Sequence, residues 1–577
     1  MNFSAGSSFR TGTLLAWLTL TASATAQAHP HEPILPTPPD QAMQMHNHDG
    51  DHPDHEDVNV GYIPREVLQR PVTLRNNIGH VADTVTTKSA EAQAFYNQGV
   101  AYLHNYVWID AARSFNQALR LDPDLALAHI GLFRVFLNIE DLPAAGDEIT
   151  KAEALQAPVT DRERRRIALS RKHLEALQDL PDEAKHDAYK KALEDALNHN
   201  PDDVELWLLR GNAEESAADG RGQRGGTGSI AFYEAAMSRS PDNFAAHHYL
   251  IHSYEFIGRN DEAEKHGQRY SELASGIPHA HHMWGHDLRL VGKIDQAIAQ
   301  FAIASQLEKD WYQADGLDAS LDWHRPHNLD LLSRSLQHEG RMREAEQTIR
   351  EAMQLKPTSR YAGYGKKMLP DFLIARGRNE EALTAAQEMQ KSIWPLARLE
   401  GHVLAGRALL AMNQTATAQA ELEAAEKEIP EAKKDFTGVV SFDRFTGDQL
   451  NELRGEAQLH SDRSPEAQKH ANQLLSEVAE SLASHRGADA LAELYLLEHI
   501  ARIAREQGQW PLAHHAADLM MTFDPNYFGA HYAASLVAAH DGNAAKQHQE
   551  EAAAQQLWSH ADPNLQELAQ VSTGGTR

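Results

Sequence analysis

The chain has 577 residues, 42% of them hydrophobic, a formal charge of -28 and no cysteine. That charge excludes a nucleic-acid or anionic-membrane surface, which needs clustered Lys and Arg, and the missing cysteine excludes disulfides and thiolate chemistry. Single cores stop growing at roughly 250 to 300 residues, so either several cores or one stacked array is expected.

The chain opens with Arg10, an apolar run from Leu14 to Ala22 and small residues up to Ala28. This is the pattern of a cleaved secretory signal over 1–28, too short to span a bilayer, and it implies a periplasmic or secreted protein. From 29 to 88 the sequence is Pro-rich and His-rich without helical or strand period, and a disordered arm is expected. His29, His31, His46, His48, His52 and His55 sit there with Met43 and Met45. A flexible tract of imidazoles and thioethers suits low-specificity capture of copper or zinc.

From Ser89 onward the pattern is helical and repeated. Gly99, Tyr102, Ala111, Phe115 and Pro123 recur as Gly285, Ala297 and Phe301, as Gly406, Ala418 and Pro430, as Ala345, Ile349 and Pro357, and as Ala513 with Pro525. These offsets resemble the 34-residue tetratricopeptide repeat, a helical hairpin in which small residues let two helices close and Pro ends the second. The resemblance implies an all-α, right-handed solenoid over 89–432. An irregular spacer is expected at 433–450, and further repeat-like helices at 451–570. Between Gly211 and Pro241 the spacing is 30 residues, six more than in the other repeats, so a mobile loop is expected near "DGRGQRGGTGS".

The chain carries 34 histidines, about three times an ordinary share. The repeat register tests whether they are scattered. Positions 4, 7, 8 and 11 of the first helix pack, while 2, 5, 9 and 12 form another stripe of the 3.6-residue period, which the family turns to its concave groove. In this register His248, His252 and Glu255 take positions 5, 9 and 12 of one repeat. His279, His282 and His286 take 2, 5 and 9 of the next, and His327 and Asp330 take 2 and 5 of the third. Only His281 falls on the packing stripe. Packed helices lie about 8 to 10 Å apart, so side chains from neighbouring repeats can converge. His104 reads as a satisfied helix histidine, and His514, His515, His531 and His540 as solvated or inter-repeat residues.

The order HxxxHxxE, HxxHxxxH and PHN is similar to that in a group of secreted bacterial tetratricopeptide proteins. The likeness implies that these positions form one site and implies no activity. Imidazoles with one or two carboxylates suit copper, zinc, iron or nickel and disfavour calcium and magnesium; copper comes first because the leader mixes Met with His. Glu255 is a candidate ligand, orienting partner or general base. Three functions compete. The first is an exported metal-handling scaffold whose groove docks a client protein or peptide. The second is a mono- or dinuclear metalloenzyme, oxidase or hydrolase, and the third a metal-free peptide-binding adaptor. No HExxH, nucleophile motif or phosphate loop supports catalysis apart from the cluster.

Overall fold

The hairpins close around pairs of a glycine and an aromatic ring. A methyl group at Gly99 would lie 2.6 Å from the Phe115 ring and one at Gly285 2.9 Å from the Phe301 ring, so neither helix pair could approach with a larger residue. Ala111, Ala297, Ala345, Ala418 and Ala513 are all buried at the matching positions. In this computed structural model, which describes residues 63–179, 182–215, 225–435, 442–484 and 490–573, the described secondary structure is entirely helical. The chain divides into two units, Met1–Asp57 and Val58–Arg577. The expected signal, and the tract carrying His29, His31, His46, His48, His52 and His55, lie outside the described residues, as do residues 216–224 of the expected loop.

Within the second unit, antiparallel helices follow one another in pairs, beginning with Ala90–His104 and Trp108–Leu121. Six helices matter for the site: α1 (Phe244–Phe256), α2 (Asn260–Leu273), α3 (Pro278–Leu290), α4 (Ile294–Asp315), α5 (His324–His338) and α6 (Met342–Met353). Asn243 caps α1 by accepting a hydrogen bond from the Ala246 amide. Most of the hairpin turns place one residue in the left-handed region. Gly258, Gly292, Gly340, Gly377, Gly508 and Gly542 supply it at φ between 69° and 78°. The first hairpin uses Tyr106 instead, at φ 58°.

Three expected boundaries are corrected. Residues 63–88 belong to the fold: Val67, Leu68, Val72, Ile78 and Val85 are buried, and the buried Arg166 guanidinium pairs with Asp83 at 2.5 Å and also with Asp203. Such a strap has no period because side-chain and backbone hydrogen bonds hold it residue by residue, as when Asn105 donates to the Ile78 carbonyl at 2.8 Å. The expected spacer at 433–450 is helical from Phe442 onward, the start of a helix that runs to Ser461. Pro430 does not end its helix, which runs from Thr415 to Asp435.

The C-terminal helices are pinned to the array through His338. Its ring bonds Asp524 at 3.1 Å and Glu339 at 3.0 Å, and although burial opposes its charge, these carboxylates raise its pKa to about 9. A histidine with a raised folded pKa contributes stability fully below its unfolded value of about 6.5, and loses it as pH climbs through the folded value. The melting-temperature gap between wild type and His338→Gln is therefore expected to be widest near pH 6 and to shrink by pH 9.5. A gap that stays constant over that range would refute the ion pair.

Candidate metal centre

α1, α3 and α5 are the first helices of three successive hairpins, and their shared stripe brings imidazoles together. Nε2 of His248 lies 3.3 Å from Nε2 of His252 and 3.1 Å from Nε2 of His279. Two of the three rings are held from behind. His248 donates its Nδ1–H to the carbonyl of His104 at 2.7 Å, and the His252 Nδ1 faces the Glu255 carboxylate at 3.8 Å. Because a carbonyl only accepts, the neutral His248 ring must carry its proton on Nδ1, which leaves Nε2 as a bare lone pair aimed at its two neighbours.

Burial keeps these rings neutral. It holds His248 and His279 well below the usual histidine pKa, with neighbouring imidazoles adding to the effect, and lowers His252 to about 4. All three therefore offer lone pairs at neutral pH, the form a transition metal requires. The single Nε2 lone pair of His248 can accept from at most one of its two neighbours, and Nδ1 of His279 is buried without a partner.

The residues expected in the site divide into four groups. His248, His252 and His279 converge. Glu255 accepts a hydrogen bond from Nδ1 of His286 and lies behind His252, so it orients imidazoles from the rear of the cluster. His282 is buried and bonded through Nδ1 to Asn328 at 3.0 Å, with the exposed His327 ring 4.8 Å away. Asp330 does not join; it pairs with Arg334 at 2.8 Å. His281 takes the packing side, bonding Gln300, and His104 is satisfied by Tyr249 and Glu205.

The stripe does not open on a groove as expected. His248, His279, His282 and His286 are buried. The first hairpin covers them through Tyr106, whose ring lies 4.5 Å from that of His248 and 5.2 Å from that of His279, and Trp323 covers His279 at 5.8 Å. The Trp323 indole donates to the Tyr106 carbonyl at 3.1 Å, tying the two covers together. The described end of the long loop adds a third cover: a Cβ on Gly225, at φ 62°, would lie 2.2 Å from the His252 carbonyl oxygen. That close approach is open only to glycine.

Tyr106 is strained and its hydroxyl is buried without a partner. A bulky residue in the left-handed region costs about 1 to 2 kcal/mol, a cost retained where the side chain has a task. Removing an unsatisfied buried hydroxyl relieves about 1 to 3 kcal/mol. Tyr106→Phe is therefore expected to raise the melting temperature of the metal-free protein; a lower one would show that the phenol is bonded.

Two contributors were not expected from sequence. Tyr106 sits at a turn that glycine fills in six other hairpins, with Glu140 and Asn413 filling two more. His324 lies two residues ahead of the first repeat position, but Pro326 is tolerated in a first helical turn, so α5 starts at His324 and carries it into the cluster.

No family model and no curated protein sequence matches the chain. Among solved structures it is similar to yeast Tom70 (15% identity, 83% of this chain and 99% of that one, TM-score 0.28). It is also similar to the tetratricopeptide domain of P58(IPK) (14%, 84% and 98%, TM-score 0.20) and to the APC/C hetero-tetramer Cut9–Hcn1 (11%, 85% and 97%, TM-score 0.31). At such TM-scores the likeness adds no argument, and the class rests on the chain's own packing. The architecture is that of a tetratricopeptide-type helical-hairpin array. Among the described residues no helix is long and apolar enough to cross a membrane.

Proposed function

We propose that the protein is an exported metal-holding array in which His248, His252 and His279 bind one transition-metal ion, copper first and zinc next, while the repeat surface docks a client protein. The carrying observation is the spacing of the Nε2 atoms, 3.1 and 3.3 Å. Three nitrogens bound at about 2.0 to 2.1 Å with tetrahedral angles stand about 3.3 Å apart. The backing of His248 by a carbonyl and of His252 by a carboxylate matches how ligating imidazoles are oriented. The ligands sit in a covered site with neutral rings, which favours holding an ion over exposing it. The N-terminal signal supports export, and stacked repeats commonly present extended surfaces to other proteins.

Metalloenzyme chemistry is the second reading, favoured by one observation: the converging protein ligands are three imidazoles, and three protein ligands are what a catalytic metal site would use. The test is elemental analysis of protein purified from the exporting compartment, with and without residues 29–57, and of a His252→Ala/His279→Ala variant. Copper or zinc is expected to persist without the tract and to be lost in the variant. Metal-free protein in both of the first two preparations would sink the proposal.

A further inference from the structure

Glu255 does more than stand behind His252. It also meets His286 and Asp287, and one ligand atom from each of the three lies within 4.8 Å of the other two. Two ligands of one ion stand up to about 4.4 Å apart, so the set needs at most a few tenths of an ångström to close on a cation. Glu255 lies one residue before the end of α1, and His286 and Asp287 are neighbours on α3, so the packing of these two helices assembles the set.

Asp287 is the residue that points to a ligand. It is fully buried, and neither of its carboxylate oxygens receives a hydrogen bond. Room for it is built into α2: a Cβ at Gly267 would lie 2.2 Å from Asp287 Oδ2. A proton shared with Glu255 would occupy one oxygen of Asp287 and leave the other bare. Buried carboxylates are otherwise paired with a basic group or bound to a metal. Two more sets of carboxylates converge on a histidine, and each has a guanidinium of its own: Arg325 bonds Glu308 at 2.6 Å and Arg407 bonds Glu452 at 2.7 Å. Among the described residues, neither Glu255 nor Asp287 is bonded by Lys or Arg. The basic partners of this pair are imidazoles, which are themselves metal ligands.

We infer that Glu255, His286 and Asp287 bind a second divalent metal ion, separate from the one assigned to His248, His252 and His279. The inference builds on the reading above by making the centre a pair. The ligands are a carboxylate oxygen from each acid and Nδ1 of His286, the nitrogen that faces Glu255 and whose proton the ion replaces. Two hard oxygens and one imidazole suit Zn(II), Fe(II) or Mn(II) and disfavour the softer Cu(I). Glu255 joins the two sets, since its Oε2 faces Nδ1 of His252 at 3.8 Å while its Oε1 faces His286.

The test uses the full chain with the six histidines of the 29–57 tract replaced by alanine. The protein is stripped with chelator, loaded with Zn(II) alone, and desalted in imidazole-containing buffer to clear exposed histidines. Two zinc ions per chain are expected in this background, one after Asp287→Asn and one after His248→Ala. A zinc content that Asp287→Asn leaves unchanged would overturn the second site, whatever His248→Ala does. A single zinc that Asp287→Asn removes and His248→Ala spares would overturn the first reading and leave this site standing. No zinc in the background protein would overturn both. Asparagine keeps the shape of the side chain, and circular dichroism accompanies each variant. Should Asp287→Asn lose helicity, His286→Gln takes its place with the same expected loss of one ion.

Discussion

Replacing His248 with alanine is expected to weaken copper or zinc binding by about 10² to 10³-fold. A fully ligated structural zinc site is worth about 10 to 16 kcal/mol, so one ligand carries about 3 to 4 kcal/mol, and each 1.4 kcal/mol is tenfold in affinity. His248 is the best placed of the three rings for this role. Its Nε2 is nearest to both other nitrogens, its proton is committed to the His104 carbonyl, and it packs between the Tyr106 and Tyr270 rings at 4.5 and 4.8 Å. The neighbouring His247 is the control. It faces His266 at 2.8 Å on the other side of α1, so His247→Ala is expected to leave affinity within about twofold in a chelator competition. Equal losses in the two variants would show that the helix, and not the Nε2 cluster, sets the affinity.

Glu308→Ala is expected to destabilise the metal-free protein by about 3 to 5 kcal/mol. Removing one member of a buried ion pair strands the other charge, and that cost far exceeds the pair's net worth. Glu308 is fully buried and holds both Arg325 and His324; Arg325 has a second partner in Glu351 but is itself buried. An exposed pair gives the contrast: Arg269 and Glu272 meet at 2.8 Å in solvent, so Glu272→Ala is expected to cost at most about 1 kcal/mol. Chemical denaturation of both variants checks the difference. Similar small losses would mean that the α4–α5 interface does not depend on the Glu308 network.

The hairpin array was legible in the sequence because its packing rule is local. A glycine 16 residues before an aromatic, with an alanine between, closes a hairpin wherever it occurs, and Gly99 with Phe115 and Gly285 with Phe301 do so. The same register places His248, His252, His279 and His282 on one stripe; the first three meet, and the His282 ring lies 5.7 Å from that of His279. What register could not convey is depth and cover. Tyr106 comes from a hairpin more than 130 residues before α1, and nothing local in its sequence marks a tyrosine in such a turn as a lid. The strap at 63–88 carries the pattern of an arm for a similar reason: contacts such as Arg166 with Asp83 are long-range and leave no period. His324 escaped because the repeat count starts at a consensus position, while the helix starts where backbone and Pro326 allow. Asp330 shows the opposite error, a correct stripe position claimed by Arg334 four residues on.

The most direct test of the centre is an anomalous difference map at the copper or zinc edge, from crystals of the metal-loaded protein. The account predicts a peak about 2.0 to 2.1 Å from the Nε2 atoms of His248, His252 and His279. A metal-loaded crystal with no peak among those three nitrogens, or with its peaks only at exposed histidines, would contradict it.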